Sequence, residues 1–144
     1  LRTVTGVQTC ALPIWEDFAD RARRNVEGFL GADVPLDIEV RDIYEGIDAT
    51  DLDRIVLDLP EPWQVVEHAA RALRPGGILV SYLPTIGQVG LLREAIADSP
   101  FGMPESLEVL HRTWHVEGQS IRPDHRMVAH TGFLTHARLL VPEG

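Results

Sequence analysis

Apolar positions along the chain fall into two periods, and their order sets the first picture of the fold. Phe18, Ala22, Val26 and Phe29 recur at spacings of four, four and three, which predicts a helix over Glu16–Phe29 with acids in its first turn and Gly31 ending it. Leu36–Asp42 alternates apolar and charged like a half-buried strand and ends in a carboxylate. An acidic loop, Asp48–Asp53, leads into the short apolar strand Arg54–Leu57. Trp63–Leu73 reads as a helix closed by the turn Arg74-Pro75-Gly76-Gly77. Ile78–Leu83 is expected as a buried strand, Gln88–Ala97 as a further helix, and Leu107–Val116 and Met127–Leu140 as two long strands. Helix, strand, strand, helix, strand, helix, strand, strand is the order of an α/β domain that ends in an antiparallel hairpin. No internal repeat interrupts it.

The start of the chain carries neither period. Leu1–Ile14 lacks the charged opening of a signal peptide, and Val4–Ile14 resembles the in-frame translation of a sequencing-adapter oligonucleotide. Genuine sequence is therefore expected to begin near Glu16, with residues 1–15 forming no domain and residues 16–144 forming one. Sequencing the locus from intact DNA tests that expectation. The single Cys10 lies in this stretch; one cysteine builds no internal disulfide, which fits a reducing cytoplasm.

Composition narrows the class further. A chain of 144 residues with 44% hydrophobic residues can bury one real core, and no apolar run approaches a membrane span. The net charge of −9 argues against a chain that grips nucleic acid alone. It is unevenly spread: residues 111–144 hold 4 arginines against 3 acids, and five of the six histidines. All 13 basic residues are arginine, which a GC-rich genome explains more simply than phosphate binding does. No His/Cys/Asp/Glu spacing suggests a metal.

The chemistry concentrates at Asp58-Leu59-Pro60-Glu61-Pro62-Trp63. A carboxylate at the carboxyl end of a buried strand sits where open α/β sheets bind ligands. Two prolines stiffen the loop and a tryptophan offers a flat apolar face, a set suited to a planar heterocycle with an exocyclic amine. The ordinary alternatives stay open at this point. Asp58 could be a solvated strand-end acid or a helix N-cap, Tyr82 a core-edge aromatic, and Trp63 a packing residue at a helix start.

Several blocks carry a resemblance: Arg21-Ala22-Arg23-Arg24-Asn25, the Asp58–Trp63 loop, Leu73-Arg74-Pro75-Gly76-Gly77, Tyr82-Leu83-Pro84-Thr85 with Gln88, Arg122-Pro123-Asp124-His125, and His130-Thr131-Gly132-Phe133-Leu134. Together they resemble the C-terminal part of the catalytic domain of bacterial tRNA (adenine(58)-N(1))-methyltransferases, whose 58 counts tRNA nucleotides. The resemblance implies a truncated Rossmann-like class I methyltransferase sheet ending in an antiparallel hairpin, with the first two strands missing. It implies S-adenosylmethionine as cofactor, tRNA as partner, and a cytoplasmic homotetramer in the full-length form, with no membrane and no metal.

Carried over position by position, Asp58 and Tyr82 are the catalytic residues. Phe18, Asp42, Ile43 and Asp58 hold the cofactor; Pro60, Pro62, Trp63 and His130 contact the substrate. His115 and His125 are further candidates for RNA contact. The departures are as informative. The family's glycine-rich cofactor loop would precede Glu16, and its ribose-binding acid would fall at Pro13. The chain as given is therefore expected to bind S-adenosylmethionine poorly and to be inactive alone. The alternatives are a non-catalytic RNA-binding or tetramer-forming subunit of such an assembly, or a methyltransferase acting on another amine.

Overall fold

The computed structural model describes residues 9–11, 13, 15–31, 35–127 and 132–141. The chain divides into two compact units, Leu1–Gly46 and Ile47–Gly144.

In the first unit the strand β1 (Thr9–Ala11) pairs in parallel with β2 (Leu36–Ile38), and the helix α1 (Glu16–Leu30) connects them. The helix forms over the predicted residues, with Glu16 and Asp17 at its positive end and Gly31 beyond its last turn, but of its apolar residues Ala19 is buried while Phe18 and Phe29 are exposed. Strand β1 lies in a stretch where the sequence shows no strand period. Strand β2 is shorter than the alternating pattern predicts, because its partner is only three residues long and the ladder stops at the Ala11–Ile38 pair. One further bond, from the Arg41 amide to the Pro13 carbonyl, extends the contact. A 3₁₀ turn over Ile43–Glu45 follows, where the Asp42 carboxylate accepts a hydrogen bond from the Tyr44 amide at 2.9 Å.

The second unit is built on a four-stranded sheet in the order β3 (Leu52–Asp58), β4 (Leu73–Leu83), β8 (Phe133–Leu139), β5 (Phe101–Glu108). Strand β3 (Leu52–Asp58) leads through a 3₁₀ turn (Pro62–Val65) into α2 (Val66–Ala72), and β4 (Leu73–Leu83) returns parallel to β3. Helix α3 (Ile86–Ala97) then crosses to β5 (Phe101–Glu108) at the sheet edge. Strand β8 (Phe133–Leu139) inserts between β4 and β5, antiparallel to both. This is the mixed sheet with an antiparallel ending that the element order predicts.

Ile55, Leu57, Leu79, Leu83, Ala137 and Leu139 form the buried face of this sheet, under Val66, Ala69 and Ala72 of α2 and Val89, Leu92 and Ile96 of α3. On the other face, within this unit, Val56 is 70% exposed and Leu134 39%. The run Arg54–Leu57, expected as a short buried strand, is therefore buried at alternate residues. Parallel strands read as continuous apolar runs when both faces are covered, and here the pleat buries one.

The predicted Arg74–Gly77 turn is an excursion inside the β3–β4 ladder, between the Leu52–Leu73 and Arg54–Ile78 pairs. Its glycines have separate causes. Gly76 takes φ 81°, and a Cβ on the buried Gly77 would stand 2.8 Å from the Arg74 carbonyl oxygen. Arg74 anchors the excursion by an ion pair with Asp53 at 2.6 Å.

The expected strand Leu107–Val116 is two strands with different partners. Strand β5 starts earlier, at Phe101, and stops at Glu108; β6 (Trp114–Glu117) folds back on β7 (Ser120–Pro123) as a separate hairpin. Strand β5 accommodates Pro104 because one extra residue bulges between Gly102 and Glu105. The Arg93 guanidinium donates to the Pro104 carbonyl at 2.9 Å and satisfies it there. Of the expected strand Met127–Leu140, β8 is the formed part, and residues 128–131 lie outside the described residues.

Candidate functional site

Asp58 is the last residue of β3, and in register its partner is Tyr82, next to last in β4. Neighbouring strands lie about 4.8 Å apart and side chains alternate between faces, so paired residues project on the same side. Asp58 and Tyr82 thus share the open face, both solvent-accessible, Tyr82 at 38%. Leu134 of β8 is the next residue in this row, paired with Tyr82. The row sets a carboxylate, a phenol ring and an aliphatic side chain side by side at the carboxyl ends of two parallel strands. That is the position at which open α/β sheets hold ligands.

Asp58 does not cap the next helix; it is a solvent-exposed acid at the end of its strand. The helical segment after the loop begins at Pro62 with Glu61 before it, and no side chain caps either the 3₁₀ turn or α2. A polar neighbourhood with an exposed carboxylate is left facing solvent beside Tyr82. It can accept from an amine, and it can stabilise a positive charge that develops near it.

The loop between β3 and α2 is tied to the loop after β4. Thr85 caps α3, accepting from the Gln88 amide and donating to the Gln88 side-chain oxygen at 2.7 Å. The Gln88 side-chain nitrogen in turn donates to the Pro60 carbonyl at 3.1 Å. One residue of α3 thereby holds the backbone two positions beyond Asp58. The sequence signal for this was present: Thr85-Ile86-Gly87-Gln88 has the spacing of a capping box, which places the helix start at Ile86 rather than Gln88.

The remaining candidates are distributed differently. Pro60 is exposed in the loop, while Pro62 is fully buried and anchors the loop from within the core. Trp63 lines a cleft of about 450 Å³ with Val66 and Glu67 of α2 and Ala95 and Asp98 near the end of α3. Neither Asp58 nor Tyr82 lines that cleft. His130 lies outside the described residues. His115 of β6 faces Glu117 at 3.6 Å, and His125 is exposed beyond β7.

In the first unit, Phe18 is 53% exposed on α1, and Asp42 and Ile43 are half-buried at the 3₁₀ turn after β2. The Asp42 carboxylate, fixed by the Tyr44 amide, stands one residue from the aliphatic Ile43. An oriented acceptor beside an apolar side chain fits the amino edge and ring face of an adenine. Among the described residues, no group of three or more His, Cys, Asp or Glu side chains is placed to hold a metal ion. No helix among them is long and apolar enough to cross a membrane.

Leu134 ends the block His130–Leu134, in which the resemblance assigns a role to His130 alone. The alternation of Leu134 in β8 was legible, but its place beside Tyr82 depends on β8 inserting next to β4.

Comparison with known proteins agrees with this fold. A family described as the tRNA methyltransferase complex GCD14 subunit matches residues 10–124. The tRNA (adenine(57)-N(1)/adenine(58)-N(1))-methyltransferase TrmI of Methanocaldococcus jannaschii is 41% identical over 102 residues, covering 70% of this chain and 36% of that protein. The crystal structure of tRNA (m1A58) methyltransferase TrmI from Aquifex aeolicus superposes with a TM-score of 0.78 at 30% identity, over 92% of this chain and 53% of that one. A SAM-dependent O-methyltransferase from Thermotoga maritima superposes with a TM-score of 0.84 at 33% identity, over 94% of this chain and 51% of that one. The fold is that of the class I S-adenosylmethionine-dependent methyltransferases. The chain spans about a third of the length of the curated relatives it matches.

Proposed function

The chain belongs to the family of the tRNA methyltransferase complex GCD14 subunit, and on that premise we propose that it carries the adenine-binding half of an S-adenosylmethionine-dependent tRNA adenine-N1 methyltransferase. The observation that supports this reading is the register pair Asp58–Tyr82, both exposed to solvent at the carboxyl ends of two parallel strands.

A target adenine within tRNA must leave its stack to reach such a site. Its N1 carries an available lone pair at neutral pH and needs no base before attack. Bound S-adenosylmethionine supplies an electrophilic methyl group on a sulfonium. The acceleration then comes chiefly from holding N1 in line with that methyl. Asp58, accepting from the N6 amine, orients the base and stabilises the positive charge that the ring gains as the N–C bond forms. It next takes up the proton released from N6. Tyr82 packs against the base, with Leu134 extending the apolar surface. Pro60 stiffens the loop beside Asp58, held by Gln88, while Pro62 and Trp63 fix that loop to the helical layer. Asp42, Ile43 and Phe18 are the residues to hold the adenine end of the cofactor, Asp42 accepting from its amine. His130 is the residue to meet the RNA backbone.

The whole enzyme is read as cytoplasmic and homotetrameric. One chain of net charge −9 offers phosphates little attraction, whereas several copies can pool the arginines and histidines of residues 111–144. The test is methyl transfer by the product of the gene recovered from intact genomic DNA, using unmodified tRNA and labelled S-adenosylmethionine. Nucleoside analysis should return N1-methyladenosine from the T-loop. Label on any other atom, or none on tRNA, contradicts the proposal.

A further inference from the structure

Gly132, immediately before β8, has a backbone and a neighbour that both demand the absence of a side chain. Its φ is 132°, a conformation that residues with a Cβ rarely adopt. It is buried, and a Cβ built on it would overlap the Tyr82 ring at Cε2, Cζ and Oη. Those atoms are the rigid outer end of an aromatic ring, which cannot fold aside as a flexible chain end does. Backbone packed this closely on a ring fixes how deep the ring sits.

We infer that Gly132 is a positioning residue for Tyr82: its bare backbone sets the place of the phenol ring in the row Asp58–Tyr82–Leu134, and with it the plane in which a base lies beside Asp58. The contact between Gly132 and Tyr82 stands by itself; its meaning for an adenine rests on the proposed function. Substituting alanine would introduce two separable costs, the positive φ and the ring overlap. Only the second depends on Tyr82.

That separation defines the test. The chain has two tyrosines, so in a Tyr44→Phe background the one tyrosine ring signal in an NMR spectrum belongs to Tyr82. The unsubstituted ring should show a nuclear Overhauser contact to the Gly132 α-protons, and Gly132→Ala should shift the ring resonances and abolish that contact. Stability is measured as a double-mutant cycle. Gly132→Ala should lower the urea midpoint clearly more with Tyr82 present than in a Tyr82→Leu background, where only the backbone strain remains. If Gly132→Ala fails to fold while the Gly132→Ala, Tyr82→Leu double variant folds, the inference is supported. An absent Overhauser contact in the unsubstituted ring, or equal midpoint losses in both backgrounds, overturns it. Adenosine titration reads the other premise separately. A ring that responds to Gly132→Ala but never to adenosine leaves the positioning role intact and removes the adenine assignment.

Discussion

Replacing Ser81 with alanine should stabilise the protein, although it deletes a polar group from the strand that carries Tyr82. Ser81 is 0% exposed, and its hydroxyl oxygen has no hydrogen-bond partner among the described residues. It stands in a row with Leu57 on one side and Thr135 on the other. Thr135 is itself paired through its hydroxyl with Ser106 at 2.9 Å. A buried hydroxyl without a partner costs about 1–3 kcal/mol. Against this, alanine is a poorer strand former, on a scale that spans about 1 kcal/mol in all. The net expectation is a gain of about 1 kcal/mol, which at a urea slope of about 2 kcal/mol/M moves the midpoint up by about 0.5 M. Equilibrium urea unfolding of the chain, followed by circular dichroism, measures it. Thr135→Val provides the contrast, since it orphans the Ser106 hydroxyl and should lower the midpoint. A Ser81→Ala variant that loses 1 kcal/mol or more would show that the hydroxyl is satisfied and refute the reasoning.

Two further outcomes follow from the same contacts. Gln88→Leu removes the bond to the Pro60 carbonyl and should cost about 0.5–1.5 kcal/mol; the Leu59 and Glu61 amides should exchange hydrogen faster while the β4–β8 ladder keeps its protection. Leu92→Ala empties a fully buried position of α3 over the sheet and should cost about 2–5 kcal/mol in the urea experiment; a loss under 1 kcal/mol would mean that α3 is not packed as described.

How much of this was legible in the sequence differs by element. Helix α1 follows from the recurrence of Phe18, Ala22, Val26 and Phe29, because a helical period is a local property. The parallel β3–β4 pair and the antiparallel ending follow from element order, as connection rules leave few topologies. Strand β5 was hidden, since Pro104 reads as a strand breaker until the bulge and the Arg93 bond to its carbonyl are known. Strand β6 was merged with the end of β5, because the strand-like run from Leu107 to Val116 does not say where the pairing partner changes, and β7 was not expected. At the site, the motif picked out Asp58 and Tyr82, but their facing positions depend on a register between strands that no local pattern encodes. Trp63 shows the converse: its place in the loop suggested a wall beside Asp58, whereas the start of the helical segment turns it toward α2 and the end of α3. Gly132 could be seen only as a glycine in a motif until the ring of Tyr82 lay against it.

The central claim is that a carboxylate beside Tyr82 stabilises the charge that adenine acquires on methylation. Its most direct measurement is single-turnover methyl transfer by Asp58→Ala in the enzyme expressed from the intact gene, with tRNA affinity determined alongside. The rate should fall by about 10²–10³, the loss expected when one electrostatic partner of the transition state is removed. Affinity for tRNA should stay unchanged, because phosphate contacts dominate it. An Asp58→Ala enzyme that methylates at the original rate would contradict the account.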